Sequence, residues 1–367
     1  MRIVLFTGDE NNGGIQQFTY TILREMAKLG HQVYLFIPDL PRIIVANDLM
    51  GNAIRYPKVD SILPNTDTNK RIVRDIKALN PDIVMCSDDS IISCQILGAI
   101  DSGIKKCLTI HDVTPHPSKF SFRKEIVSVL WQSYRVYGLR KADTVMLLSE
   151  NGYNRFGDNY SQYAYKSIVC PLGAHPPVGV AECPKELYEL RSLNFGLFFG
   201  RIDKYKGISR LLSAYQAAYD EDNTISPLVI AGNGTLTEQD IQIISNNNNI
   251  FLINRFVENS EMLWLLTSCS YVVLPYIEAS QSGVAPLAYY YGKPIIASKI
   301  PGLTEVVKDA ETGYLFESNE ELKSILLKNQ IDWSLMRDAC LAYYRDTLDW
   351  SKNIDNAISA IIGNGIE

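Results

Sequence analysis

Two basic side chains lie in one glycine-bounded loop in the second half of the chain. The loop runs from Gly200 to Gly207, follows an apolar strand predicted over Phe195 to Phe199, and contains Arg201 and Lys206. An arginine offers a planar fork of N–H donors and a lysine a mobile point charge, so the pair suits an anion such as a diphosphate. Positive groups aimed at a departing diphosphate stabilise the charge that develops on it. The loop therefore predicts a diphosphate site, and the alternative is a solvated basic loop.

A second loop, rich in small polar residues, follows another predicted strand. The strand runs from Tyr271 to Leu274, and a helix is predicted from Val284 to Tyr291. The loop between them contains, in order, Glu278, Ala279, Ser280, Gln281, Ser282 and Gly283. Free N–H groups and the dipole at the start of a helix favour an anion, and small residues let a phosphate approach the backbone. The alternative is an ordinary turn between a strand and a helix, without a ligand.

Two further groups suit a ligand in the first half of the chain. Gly13 and Gly14 precede a helix predicted from Gln17 to Leu29, where paired glycines permit a backbone close to a phosphate or a sugar hydroxyl. His111 follows a strand predicted from Lys106 to Ile110. Open α/β sheets bind ligands at the carboxyl ends of their strands, so His111 is expected to orient a sugar hydroxyl or a phosphate. The alternatives are a plain turn at the glycines and a capping or packing role for the histidine.

Strands alternate with helices in both halves of the chain, which predicts α/β domains with parallel sheets. A proline pair and a loop-like acidic tract mark a domain boundary near residues 171–192. We expect two doubly wound, Rossmann-like domains facing a cleft, because 367 residues suffice for two domains with cores of their own.

The composition excludes several classes of protein. A net charge of −6 argues against nucleic acid as the main partner. No apolar run reaches the length of a transmembrane helix, and no signal peptide follows the first strand, so a cytoplasmic protein is expected. The four histidines show no metal-ligand pattern, and no metal site is predicted. The cysteines lack CxxC spacing and are interpreted as reduced thiols, several of them in apolar surroundings. They are Cys86, Cys94, Cys107, Cys170, Cys183, Cys269 and Cys340.

One segment, residues 119–141, combines basic and aromatic residues in an otherwise acidic protein. It contains six basic residues and one acid, Glu125, with aromatic and aliphatic residues between them. Such a helix is typical of contact with an anionic membrane surface, which predicts a peripheral position at the inner face of the membrane. The alternative is a helix packed on the core with a solvated basic edge. The basic residues are Lys119, Arg123, Lys124, Arg135, Arg140 and Lys141.

Four motifs, in order along residues 195–316, resemble those of retaining glycosyltransferases of family 4 with the GT-B fold. They read FFGRIDKYKGISRLLSAY, VIAGNG, NRFVENSEMLWLLTSCSYVVLPY and GKPIIASKIPGLTEVVKDAETGYLF. The resemblance implies an N-terminal, acceptor-side domain over residues 1–175 and a nucleotide-sugar donor domain over 176–345. It also implies that residues 346–367 form a helix that crosses back to the first domain. Members of this family transfer a sugar with retention, without a bound metal and without a cofactor other than the donor.

The resemblance also implies roles for single residues. Arg201 and Lys206 would hold the donor diphosphate, and Gly283 and Val284 would offer backbone contacts to phosphate. Gly13 and Gly14 would close over it from the first domain, and His111 would lie near the transferred sugar.

The chain departs from the family at one point. The family shows two glutamates eight positions apart, one near the donor sugar and one on the ribose. Glu278 stands in for the first, one position out of register, and Leu287 occupies the place of the second. Ser280, Gln281 and Ser282 are expected to supply hydroxyl and amide contacts instead.

These observations predict an enzyme that moves a hexose from a nucleoside diphosphate sugar to a saccharide or lipid-linked saccharide, in the synthesis of bacterial surface polysaccharide. Two alternatives remain open at this point. One is a nucleotide-sugar epimerase of the same fold, with Asp112 and Glu278 as candidate acids. The other is a catalytically silent subunit that binds a sugar nucleotide.

Overall fold

A computed structural model describes residues 1–10, 13–41, 43, 45–58, 66–114, 122–191, 194–328 and 331–363, and side chains are described outside 122–128. Parts of two predicted segments lie outside the described residues: Asn11 and Asn12 of the first loop, and residues 119–121 of the basic segment. The chain divides into two compact units. Unit 1 comprises Met1–Leu172 with Trp350–Glu367, and unit 2 comprises Gly173–Asp349.

Unit 1 is built on a parallel sheet of seven strands among the described residues, in the order β3-β2-β1-β4-β5-β6-β7. The buried residues of its central strands β1 and β4 are all apolar, as expected of a sheet covered on both faces. They are β1 (Arg2–Phe6), β2 (Gln32–Pro38), β3 (Ala53–Tyr56), β4 (Ile83–Cys86), β5 (Lys105–Ile110), β6 (Thr144–Leu147) and β7 (Ser167–Val169).

In the described part of unit 1, five α-helices connect these strands and cover the sheet on two faces. They are α1 (Gly14–Lys28), α2 (Asp67–Ala78), α3 (Ile91–Ala99), α4 (Phe122–Lys141) and α5 (Glu150–Asn159). One core cluster joins α1 to one face of the sheet. A second cluster joins α2, α3 and α5 and the end of α4 to the other face. Short 3₁₀ turns span Asn47–Asn52 and Ser161–Lys166.

Unit 2 repeats the plan with six parallel strands in its described part, in the order β10-β9-β8-β11-β12-β13. The strands are β8 (Gly196–Phe199), β9 (Leu228–Gly232), β10 (Ile250–Asn254), β11 (Tyr271–Leu274), β12 (Ile295–Ser298) and β13 (Gly313–Phe316). The helices are α6 (Ile208–Glu221), α7 (Glu238–Asn246), α8 (Asn259–Ser268), α9 (Val284–Tyr290), α10 (Pro301–Thr304), α11 (Asn319–Leu326) and α12 (Arg337–Tyr343). Further turns are 3₁₀ at Lys185–Leu190, Lys204–Lys206 and Trp333–Met336, and π-helical at Tyr344–Leu348.

The last helix, α13 (Trp350–Gly363), belongs to unit 1 although it follows unit 2 in the chain. Its apolar face, including Ile354 and Ile358, enters the core cluster beside α1. Trp350 lies 5.7 Å from Phe18 between ring centroids. The Asn353 side chain donates a hydrogen bond to the Pro171 carbonyl at 3.1 Å. The predicted return of this helix to the first domain is confirmed.

The tract up to Arg191 was interpreted as loop-like and as part of the domain boundary, but its Leu187 and Leu190 lie on a 3₁₀ turn and are buried in the core of unit 2. Strand β3 was not predicted, because its four residues alternate too briefly to give a signal. All seven cysteines are free thiols, and the six other than Cys183 are buried, which confirms the interpretation of several of them as core thiols. Within the described residues, no helix is both long and apolar enough to cross a membrane.

Candidate active site

The loop that carries Arg201 and Lys206 connects β8 to α6. Its last residue, Gly207, has φ 70° and ψ 26°, the left-handed conformation that glycine adopts without steric cost. A Cβ at this position would overlap the carbonyl oxygen of Pro275, which follows β11. The Ile277 N–H also donates to the Tyr205 carbonyl at 2.8 Å. The two loops predicted to bind the same anion are therefore in direct contact, as the adjacency of β8 and β11 in the sheet requires.

Arg201 and Lys206 differ in their surroundings. Arg201 is exposed, and its Nη2 donates to the Tyr205 hydroxyl at 3.2 Å, a hydrogen bond that raises the pKa of the guanidinium. Lys206 is half-buried, with Nζ 3.6 Å from the centre of the Tyr276 ring. Loss of water around the ammonium lowers the pKa of Lys206 to about 8. The site therefore holds one permanent cation and one whose charge depends on pH near neutrality.

Tyr276 contacts both Lys206, through its ring, and the small polar loop, through its hydroxyl. Tyr276 is fully buried, and burial raises its pKa to about 12, so the phenol is neutral. Its hydroxyl lies 3.4 Å from Ser282 Oγ. Ser282 is also buried, and its Oγ accepts a hydrogen bond from the Val284 N–H at 3.3 Å. The Val284 amide, expected to contact phosphate, is thus bonded to Ser282 in this structure, and a phosphate would have to compete with that hydroxyl.

The remaining residues of this loop are more open. Glu278 and Gly283 are exposed, whereas Ser280 and Gln281 are half-buried. A Cβ at Gly283 would have nothing within 4 Å, so the backbone there is accessible to a ligand. Helix α9, which Gly283 precedes, has only seven residues. Its dipole is correspondingly small, and the side chains of Arg201 and Lys206 are the stronger source of positive potential.

In unit 1, the residues predicted to bind a ligand are Gly13, Gly14 and His111, and they lie around the carboxyl edge of the sheet. Asp88, after β4, accepts hydrogen bonds from the Thr7 hydroxyl and the Gly8 N–H, both at 2.8 Å. The loop from β1 that leads towards α1 is thereby attached to the loop after β4. Gly13 is the N-cap of α1 and Gly14 its first residue, and a Cβ at either would meet nothing within 4 Å.

His111 follows β5 at the same edge. Its Nε2 lies 2.8 Å from the Ser87 carbonyl, and its ring packs edge-on against Phe18 with centroids 4.9 Å apart. Donation from Nε2–H to this carbonyl would place the proton of the neutral ring on that nitrogen. The packing role considered for His111 is therefore present, and it orients the ring at the strand end where a ligand role was predicted.

Arg135, one of the six basic residues of the segment 119–141, does not lie on the surface. Its side chain is 1% exposed and forms an ion pair with Asp89. It also donates to the carbonyls of Asp112 and Val113, both at 2.7 Å, and stacks 3.8 Å from the centre of the Trp131 ring. Arg135 thus connects the loops after β4 and β5, which flank His111. A membrane cannot reach it, because burial and pairing remove it from the surface.

Sequence reasoning missed four residues that shape these loops: Tyr205, Tyr276, Asp88 and Arg135. Tyr205 and Tyr276 were passed over because an aromatic residue beside a lysine or after a strand is common in cores. The consecutive acids Asp88 and Asp89 after a predicted strand were a usable signal, since buried carboxylates require partners. Among the described residues, no group of three His, Cys, Asp or Glu side chains is arranged to hold a metal ion.

Comparison with known proteins places these loops in context. The family profile "Glycosyl transferases group 1" matches residues 189–338. The profile "Glycosyltransferase Family 4" matches residues 12–174. The two matches do not overlap and together span most of the chain.

Individual proteins show the same likeness. MJ1178, an uncharacterized glycosyltransferase of Methanocaldococcus jannaschii, is 27% identical over 236 residues, 63% of this chain and 62% of MJ1178. The chain thus spans less than two thirds of that relative. MJ1069, an uncharacterized glycosyltransferase of the same organism, is 22% identical over 380 residues, 96% of each chain. The structure of Anabaena Alr3699/HepE in complex with UDP is similar with a TM-score of 0.69 and 17% identity, over 99% of this chain and 100% of that chain. At that identity the likeness shows a shared fold.

Proposed function

The chain belongs to the group 1 glycosyltransferases of family 4, which have the GT-B fold, and we propose that it moves a hexose from a nucleoside diphosphate sugar to a saccharide acceptor. The transfer is proposed to retain the configuration of the sugar and to need neither a metal nor another cofactor. The proposed biological setting is the synthesis of bacterial surface polysaccharide at the cytoplasmic side of the membrane, with a lipid-linked saccharide as one class of acceptor.

The observation that carries this proposal is the pair of cations in the loop between β8 and α6. Arg201 and Lys206 share one short loop that is fastened to the loop after β11 through Gly207 and Tyr205. When the bond between sugar and diphosphate breaks, negative charge develops on the leaving phosphate. A guanidinium and an ammonium held beside it stabilise that charge in the transition state more than in the ground state.

The other predicted residues take supporting roles in the proposal. In unit 2, Gly283 offers its exposed backbone to phosphate, and Ser282 exchanges its bond with the Val284 amide for one with the donor. Glu278, exposed at the edge of the same loop, is proposed to contact the donor sugar. Ser280 and Gln281 are proposed to contact the nucleoside.

Unit 1 is proposed to contribute two contacts. Gly13 and Gly14, with open space at their Cα atoms, are proposed to contact phosphate. His111, whose ring is oriented by Ser87 and Phe18, is proposed to bind a hydroxyl of the transferred sugar.

A panel of sugar nucleotides and acceptors tests the activity. UDP sugars come first, because Alr3699/HepE was solved in complex with UDP. The double variant Arg201→Ala/Lys206→Ala is expected to lose transfer by at least a hundredfold, as removal of one preorganised charge-stabilising group costs about that much. Lys204→Ala, in the same loop, is the control and should retain transfer. Full activity in the double variant would refute the assignment of these cations to the leaving group.

Three further measurements separate the proposal from its alternatives. Incubation of the donor alone should leave it unchanged, whereas an epimerase would make a new sugar nucleotide without an acceptor. Tight donor binding with no turnover on any acceptor would indicate a silent subunit. Transfer should persist in the presence of a chelator, and its loss with recovery on adding a divalent cation would contradict metal independence.

A further inference from the structure

Helix α3 of unit 1 lacks the polar face that a surface helix needs. Its sequence, IISCQILGA, contains no charged residue, and residues Ile91 to Leu97 are all buried. A helix that is apolar all round is expected to be covered on every side. The sheet covers one side of α3, and α2 and α4 flank it. On its outer side, where Ala99 is exposed, the described residues leave a groove and no covering element.

This groove, which we call the α2–α4 groove, runs over α3 between its two neighbours. Its volume is about 570 Å³. That is within the range of roughly 300–1,000 Å³ found for small-molecule sites. The floor is formed by Gln95, Ile96 and Ala99 of α3. Apolar walls come from Val73 of α2 and the rings of Tyr134 and Tyr137 of α4. The lining is therefore suited to an apolar chain.

The rim of the groove is basic. Lys70, Arg74 and Lys77 line it from α2, spaced so that they share one side of that helix. Each also contacts an aspartate at the surface: Asp67, Asp75 and Asp101 in turn. Exposed pairs of this kind are weak and exchange readily for a stronger anionic partner.

The charges of the helices around the groove also favour an anionic ligand. By sequence, α2 carries four basic and two acidic residues, α4 carries five basic and one acidic, and α3 carries none, in a chain whose net charge is −6. Arg135 is excluded from this surface by its ion pair with Asp89. The remaining excess of positive charge on two helices of an acidic protein is complementary to an anion.

The groove also contains a buried polar side chain, that of Asn69. Asn69 lines it, is 5% exposed, and donates from Nδ2 to Gln95 Oε1 at 2.7 Å. Asn69 Oδ1 is buried and has no hydrogen-bond partner among the described residues. This oxygen is itself inaccessible to solvent, so it adds no polar surface to the groove.

We propose that the α2–α4 groove binds one acyl chain of an anionic phospholipid, with the lipid phosphate held by Lys70, Arg74 and Lys77. The groove would thus attach unit 1 to an anionic membrane surface. The inference goes beyond the proposed transfer reaction, and lipid binding is measured without turnover, so either can fail while the other stands.

The first experiment asks whether both parts of the lipid are recognised. Sedimentation with vesicles of phosphatidylglycerol and of phosphatidylcholine is compared, and dodecyl phosphate and inorganic phosphate are titrated by calorimetry. We expect binding to phosphatidylglycerol vesicles and to dodecyl phosphate, at least tenfold tighter than to phosphatidylcholine and to inorganic phosphate. Equal binding to the two vesicles would overturn the anionic assignment. Binding of dodecyl phosphate without binding to vesicles would overturn the phospholipid as occupant.

The second experiment fills the groove. Ala99, exposed on its floor, is replaced in Ala99→Trp, and Ala78→Trp on α2 is the control, since Ala78 is exposed but does not line the groove. The first change is expected to weaken binding of dodecyl phosphate at least tenfold, and the second to leave it within twofold. Thermal melting checks that both variants fold. Unchanged binding in a folded Ala99→Trp protein would overturn the proposal.

The third experiment uses two arginines of the same helix. Arg74 and Arg71 are both exposed and both contact Asp75, but only Arg74 lines the groove. Arg74→Gln is expected to weaken vesicle binding about fivefold, and Arg71→Gln to weaken it less, since Arg71 acts only through the general field. Equal losses in the two variants would show diffuse attraction to the membrane and overturn the groove as its site.

Discussion

If Lys206 binds the donor diphosphate as proposed, donor binding is expected to depend on pH in a range where most lysines keep their charge. Its ammonium lies over the Tyr276 ring, half-buried and close to the Tyr205 ring at 5.2 Å. Burial, the larger cause, and the neighbouring Arg201 both lower its pKa, to about 8. Above that pH the side chain loses its proton and with it the charge that is proposed to attract the diphosphate. Donor binding is therefore expected to weaken as the pH rises through about 8.

The magnitude follows from the fraction of charged Lys206. With a pKa of about 8, about nine tenths of the side chains are charged at pH 7 and about one tenth at pH 9. If the neutral amine contributes little, the affinity of the free protein falls about tenfold between these pH values, or about 1.4 kcal/mol. The phosphates of a sugar nucleotide keep their charge over the same range, so the change belongs to the protein.

The assay is calorimetric titration of the tightest-binding sugar nucleotide at pH 7, 8 and 9, with three variants. Lys206→Arg keeps its charge throughout and should bind with nearly constant affinity. Lys206→Met should bind weakly at every pH. Lys204→Ala is the control: this lysine of the same loop is exposed and has no proposed contact with the donor, so the variant should reproduce the wild-type profile.

Two results would refute this reasoning. The first is a wild-type affinity that stays constant from pH 7 to 9. The second is the same fall in Lys206→Arg as in the wild type, which would assign the titration to another group.

Two further predictions concern the architecture that holds the loops. Arg135→Met leaves the Asp89 carboxylate without its buried partner and is expected to lower the free energy of unfolding by about 3–5 kcal/mol, measured by urea denaturation. Gly207→Ala forces a Cβ into the left-handed region against the Pro275 carbonyl and should cost about 2 kcal/mol or more. Gly283→Ala, with open space around it and φ −70°, should change stability by less than about 0.5 kcal/mol.

Each of these two stability predictions can be checked with a second comparison of variants. Replacing both partners, in Arg135→Met/Asp89→Asn, should restore part of the stability, since the unpaired charge is then removed. No restoration would show that the arginine acts through packing alone. Equal costs of the changes at Gly207 and Gly283 would contradict the close approach of the two loops in unit 2.

Much of the fold follows from local patterns in the sequence. The short apolar runs of β1, β4 and β11 are flanked by turn residues and recur between amphipathic helices, which is sufficient to predict parallel α/β sheets. The order of the strands within each sheet depends on contacts between distant segments. Strand β3 was missed for that reason, since its place is set by pairing with β2 and not by its own four residues.

The candidate site, too, could be predicted from the sequence only in part. The positions of Arg201, Lys206 and Gly207 in one loop after a strand could be recognised from residue types and spacing, and so could the family. The surroundings of each side chain could not, because they come from residues far away in the chain. Tyr276, some seventy positions after Lys206, supplies the ring that desolvates its ammonium.

Arg135 shows most clearly what the sequence could not predict. In the sequence it is one of several basic residues on an aromatic helix, and pattern alone predicts a surface charge. Only the tertiary structure decides that it is buried, because its partners Asp89, Asp112 and Val113 come from loops brought together by the pairing of β4 with β5. The sequence alone determined the family, the alternation of strands and helices and the two cations of the loop between β8 and α6. The tertiary structure decided which charged side chains are solvated and which are buried and paired, since burial depends on contacts between distant segments that no local pattern contains.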